Sequence, residues 1–231
     1  MTASANILFF SLLGGIVPAI VWLLFWLRED NKRPEPRGML ILSFFAGMLA
    51  VPLVIPFQKY FMVEGDMTTT FLIWAGLEEL FKFLAAFFVA ICQKDDNEPV
   101  DGLIYMMTVA LGFSAMENTI FIFHPLSEGN ITESLITGNV RFIGASLLHT
   151  LCSAVIGIGL GLSFYKSTAT KVWSVIVSLV LAIGLHTLFN LFIMREQSGT
   201  TFATFGFVWI AIVVLMLFFE KIKSVYPVNT I

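Results

Sequence analysis

The sequence predicts an all-α, polytopic membrane bundle of about seven transmembrane helices, with the N-terminus outside and the C-terminus cytoplasmic. Three observations carry this. The chain of 231 residues is 58% hydrophobic and 13% charged, with mean hydropathy +0.89, which is membrane rather than soluble composition. Seven stretches are apolar over the roughly 20 residues a spanning helix needs. Lysine and arginine are split unevenly between the two sets of connections.

The stretches run over 6–27, 39–57, 70–92, 102–124, 139–164, 172–194 and 203–219. Met1 to Ala5 carry no positive charge, so the first span is expected to be retained rather than cleaved as a signal peptide. The second holds Pro52 and Pro56, which are expected to kink or end it. The connections are short and polar: RPEPR at 33–37, KDDNEP at 94–99, and a Ser/Gly/Asn-rich stretch at 127–139 read as a loop. No soluble domain or clear repeat interrupts the series, so 1–231 is expected to form a single integral-membrane domain.

One set of connections holds Arg28, Lys32, Arg33, Arg37, Lys94, Lys166, Lys171, Lys221 and Lys223. The other holds Lys59, Arg141 and Arg195. The richer set should face the cytoplasm, which puts the two termini on opposite sides and agrees with an odd number of spans. The net charge of -3 and the lack of a basic stripe argue against a nucleic-acid partner. The lipid bilayer is the partner the composition implies. Cys92 and Cys152 have no CxxC or ligand spacing and are expected to pack in the interior.

Four successive spans carry polar groups: Glu78, Glu79 and Lys82, then Glu117, then His149, then His186 with Asn190. Ionisable groups in lipid are costly and mark sites more often than scaffolds. At 1.5 Å per residue, Glu78 lies roughly 12 Å from the outer surface, Glu117 about 10 Å, His149 about 15 Å and His186 about 12 Å. The residues 70–194 are therefore expected to form a four-helix catalytic core, with its polar layer in the outer half of the membrane.

The local spacings fit this. Glu78, Glu79 and Lys82 meet on one side of a helix, with each glutamate N-terminal to the lysine. One cation beside two carboxylates holds one ionised and leaves the other free to take a proton. A structural ion pair between helices is the competing reading. Glu117 sits in FxxxExxxF between Phe113 and Phe121, which would limit water around it. Asn118, about 100° away on the same helix, suits a helix-joining hydrogen bond. His149 opens a small-residue stripe of Ser153, Gly157 and Gly161, a packing feature that brings another helix close. His186 and Asn190 share a face, and the amide can donate to a developing oxyanion. His124 reads as interfacial. Arg141 reads as snorkelling to headgroups.

There is no GxSxG and no HExxH. EExxK at 78–82, FxxxE at 113–117, His149 opening a glycine-rich helix and HxxxN at 186–190 resemble, in order, the motifs of the PrsW proteases. These belong to the wider CAAX-protease and bacteriocin-processing superfamily, which includes the Ras-converting endopeptidase of eukaryotes. The resemblance covers about 70–192. It implies an intramembrane endopeptidase of a bacterial or archaeal cell membrane. Its substrate would be a single-span protein such as an anti-sigma factor, making the outer-side cut of regulated intramembrane proteolysis. It also implies Glu78 or Glu79 as the base that activates water, with His186 and Asn190 at the oxyanion. Lys82, Glu117 and His149 complete the polar cage. Many PrsW members have Asp where this chain has Asn190, a departure shared with CAAX-type members. CAAX-type processing or bacteriocin immunity is therefore an alternative.

Two further alternatives stay open. Glu117, His149 and His186 form a His/His/carboxylate set that suits zinc with an open fourth position, against a mechanism without metal. From a different class, intramembrane glutamates and histidines also build proton relays, which would make the chain a proton-coupled transporter or channel.

Overall fold

The computed structural model describes residues 3–30, 33–93, 96–193 and 198–226. Lys32, Lys94 and Arg195, three of the charges used for the orientation, lie outside the described residues. So do Met1 and Thr2.

The described chain is helical, with no strand among those residues. Its helices are α1 (Ala3–Trp26), α2 (Arg37–Tyr60), α3 (Met67–Ala86), α4 (Asp101–Ser127), α5 (Ile131–Ile143), α6 (Ala145–Ser163), α7 (Thr168–Ile193) and α8 (Ser198–Lys223). Five segments are long and apolar enough to cross a membrane: Ser4–Trp26, Arg37–Tyr60, Asp101–Ser127, Ile131–Ser163 and Thr168–Ile193. The protein is a multi-pass membrane protein.

Two local expectations change. α2 continues through Pro52 and Pro56 to Tyr60 instead of ending at 57. Within a bundle, packing and side chains compensate for the backbone bonds a proline removes. The stretch 127–139 is not a loop, because most of it is α5. Asn130 caps that helix by accepting from the Glu133 amide, and its own side-chain amide donates to the Glu133 carboxylate at 2.6 Å. This reciprocal Asn-x-x-Glu pair is a helix-start signal. Gly144 then separates α5 from α6, so the fifth predicted span is a helix broken near its N-terminal end.

α4 is the hub, packed by α1, α2 and α6 and buried over most of its length. Glycine permits the tightest of these contacts. A Cβ on Gly47 would collide with the Val109 carbonyl, and one on Gly112 with the Phe44 carbonyl, so α2 and α4 touch backbone to backbone. The stripe after His149 does the same for α6. A Cβ on Gly157 would meet Leu103 of α4 at 2.5 Å. α3 starts at Asp66, whose carboxylate accepts from the Thr69 amide at 3.0 Å. The Thr69 hydroxyl and amide hold that carboxyl below its ordinary range. α3 ends in a π-helical turn, Phe87–Ile91. Just beyond it Cys92 is exposed, contrary to the interior packing expected, whereas Cys152 is buried.

Candidate active site

The polar residues predicted on separate spans come together. α3 supplies Glu78, Glu79 and Lys82, α4 supplies Glu117, α6 supplies His149, and α7 supplies His186 and Asn190. They surround or back a cavity of about 420 Å³. Its walls are largely aromatic and aliphatic, including Phe71, Trp74, Phe113, Phe121 and Phe189. Glu78, Glu117, His149, His186 and Asn190 face it; Glu79 and Lys82 lie behind the wall.

A continuous chain of bonds runs behind that wall. Lys82 is buried and donates to Glu79 Oε1 at 2.5 Å and to His149 Nδ1 at 3.1 Å. An ammonium has no lone pair, so Nδ1 of His149 must accept. The His149 proton is then on Nε2, which donates to Glu117 Oε2 at 2.9 Å. On the other side, His186 Nδ1 donates to Glu79 Oε1 at 2.7 Å. His186 Nε2 faces Glu78 Oε2, 3.6 Å away. Glu79 and Lys82 therefore set the tautomers of two histidines on two other helices. The His149 and His186 rings meet edge to face, with centroids 5.0 Å apart.

The two adjacent glutamates have different environments. Glu79 is fully buried, and one of its oxygens accepts from both Lys82 and His186. Glu78 accepts from the Gln58 side chain at 2.8 Å through Oε1. Its Oε2 is buried and, like Glu79 Oε2, has no hydrogen-bond partner among the described residues. Gln58 belongs to α2, outside the span limits and outside the four helices predicted to hold the site. Trp74 Nε1 pins the Gln58 carbonyl at 2.9 Å. The sequence signal for Gln58 was a lone amide one residue past a predicted span end, which is weak.

Arg141 does not snorkel. Its Nε donates to Asn118 Oδ1 at 2.7 Å, its NH2 group donates to Glu117, and its guanidinium lies 3.9 Å over the Phe121 ring. The partly buried carboxylate on α4 outcompetes the headgroup region for this cation. Asn118 also donates to Ser146 Oγ at 3.0 Å, so it joins helices as its position suggested. His124 is exposed, 3.8 Å from Glu128.

The donor set has the chemistry of a metal site. One ligand atom from each of Glu78, His149 and His186 lies within 4.8 Å of the others. The partnerless Glu78 Oε2 and the open Nε2 of His186 fit such an ion. His186 also has a carboxylate on its other nitrogen, the arrangement usual for metal-bound imidazole. The group completed with the two histidines contains Glu78, where sequence reasoning placed Glu117. Glu117 is instead held between Arg141 and His149. A second set within the same reach, Glu79, Cys152 and His186, lies on the buried side.

Residues 35–218 match the family described as PrsW family intramembrane metalloprotease. Protease PrsW of Halalkalibacterium halodurans is 26% identical over 216 residues, covering 88% of this chain and 94% of the relative. Protease PrsW of Bacillus subtilis is 27% identical over 190 residues, covering 80% of this chain and 83% of the relative. Protease PrsW of Clostridioides difficile is 29% identical over 192 residues, covering 78% of each. No solved structure matches the chain. The chain thus belongs to the PrsW family of intramembrane proteases, and is a peptidase built into a multi-pass bacterial membrane protein.

Proposed function

We propose that this peptidase hydrolyses a peptide bond of a single-span membrane protein, of the anti-sigma-factor kind, inside the cavity between α2, α3, α4, α5, α6 and α7. The observation that carries the reading is Glu78. It is a cavity-lining carboxylate with one oxygen fixed by Gln58 and the other free beside His186 Nε2. Glu78 is the member of the pair placed to take a proton from water, while Glu79 and Lys82 position the histidines. The water oxygen adds to the scissile carbonyl carbon. Asn190 then donates to the oxyanion. The proton held by Glu78 passes to the leaving amine as the C–N bond breaks.

The donor set supports a metal-holding version of the same site. Glu78, His149 and His186 would be the ligands, and His149 would give up one of its two present bonds. The ion would supply Lewis-acid polarisation of the carbonyl and a lower pKa for bound water. Glu117, which lines the same cavity, is then the carboxylate left to accept the proton. In both versions we read 1–231 as one membrane domain. α3 and α8 complete seven spans, and the cavity opens toward the outer face. The 70–194 core gains α2 through Gln58.

The test is cleavage of a tagged single-span substrate by wild type and by Glu78→Gln, Glu79→Gln and His186→Ala. Unchanged cleavage in all three variants would sink the assignment. Exhaustive chelation with metal add-back separates the two versions: activity that survives removal of the metal ends the metal-holding one.

A further inference from the structure

We propose that Arg141, on α5, is a positioning residue for His149; the proposal rests on the proteolytic reading above. Arg141 reaches His149 by two routes. Its NH2 group and the His149 Nε2 proton share one acceptor, Glu117 Oε2. Its Nε holds Asn118, which donates to Ser146 in the first turn of α6, three residues before His149. Ser114 donates to the same Ser146 oxygen at 2.9 Å. One guanidinium thus anchors the carboxylate that takes the His149 proton and the helix start that carries its ring.

The geometry needs an arginine. The two acceptors, Glu117 and Asn118, are neighbours on α4 pointing in different directions, and a planar fork can serve both at once. The aromatic face of Phe121 holds that plane from below. The side chain is only 17% exposed, so water competes weakly for its donors. α5, most of which was read from sequence as a loop and the rest as the start of the fifth span, therefore belongs to the catalytic apparatus. It closes one side of the cavity through Val140 and Arg141.

Two readouts test this in the full-length protein. The chain has three histidines, so imidazole ¹⁵N spectra can resolve each ring. Wild type should show His149 as the single Nε2–H tautomer. In Arg141→Ala the Nε2–H resonance should shift and broaden as Glu117 loses its anchor, with Nδ1 still held by Lys82, while His186 keeps its signals. In the cleavage assay Arg141→Ala should lower kcat by about tenfold or more, with KM changed by less than about threefold. Millimolar guanidinium should restore part of the loss, and Arg141→Lys should fall between the two. His149 spectra identical to wild type in Arg141→Ala would overturn the proposal, whatever the activity. So would a disturbed spectrum with unchanged kcat. If Arg141→Ala does not fold, Arg141→Lys carries the same comparison. A wild type that cleaves nothing yet shows the Arg141-dependent His149 resonance would count against the proteolytic reading and not against the contact.

Discussion

Replacing Lys82 by methionine should destabilise this protein more than any other single change in the polar layer. The ammonium and the Glu79 carboxylate are both 0% exposed and 2.5 Å apart. Methionine nearly preserves the volume, so the main loss is charge. Glu79 is then a buried carboxylate with only His186 to support it, and His149 Nδ1 loses its donor. Breaking a buried pair by removing one partner costs about 3–5 kcal/mol. The double variant Glu79→Gln/Lys82→Met removes both charges and keeps an acceptor for His186. It should cost only about 1 kcal/mol, the scale of the lost hydrogen bond to His149. The coupling between the two sites should then be at least about 2 kcal/mol. An SDS titration in mixed micelles, followed by tryptophan fluorescence, measures all four corners of the cycle. A Lys82→Met cost below about 1 kcal/mol, or additive costs, would refute the reasoning.

Other outcomes follow from the same structure. Glu78→Gln should lower kcat by about 10²–10⁴-fold with little loss of stability, because Gln58 can still bond the new amide oxygen; a parallel cleavage and melting series checks this. Gln58→Ala should lower kcat and leave substrate binding nearly unchanged, read as a KM within about threefold of wild type. Gly47→Val or Gly112→Val should part α2 from α4 and cost about 1–3 kcal/mol or more, visible as a lower melting temperature in detergent. Asp96 lies in the connection before α4, where burial first and Asp101 second raise its pKa from 3.8 to about 7. An acid with a raised folded pKa binds its proton more tightly when folded. Its effect is therefore destabilising as pH rises from about 3.8 to about 7, and constant above. Asp96→Asn should raise the melting temperature at pH 8 and leave it unchanged below pH 4.

Five of the spans, and the polar residues that meet at one cavity, were legible because hydropathy and lone charges in apolar runs are one-dimensional signals. The identity of the helices that share a cavity was not. Gln58 and Glu78 are on different helices, and nothing local marks them as partners. The first part of α5 was missed because its composition suggested a loop, although the Asn130–Glu133 capping pair was there to be read. Arg141 was assigned to headgroups because its acceptors are on α4, 24 residues away in sequence in the case of Glu117. The roles of Glu78 and Glu79 could not be separated on one helix turn. Only the positions of Gln58, Lys82 and His186 around them distinguish the two carboxylates.

The central place of α4 has a consequence for the surrounding bilayer. Of its hydrophobic window 72% is buried, against 17% for α1 and 28% for α7. A change in bilayer thickness acts on lipid-facing helices, which tilt or distort to match it. α1 and α7 therefore absorb the mismatch, and the helix bearing Glu117 is screened from it. α7 is both catalytic and lipid-facing, so thickness should reach the chemistry through His186 and Asn190. In vesicles of graded acyl-chain length, kcat should follow the register of α7 against a stationary Glu117.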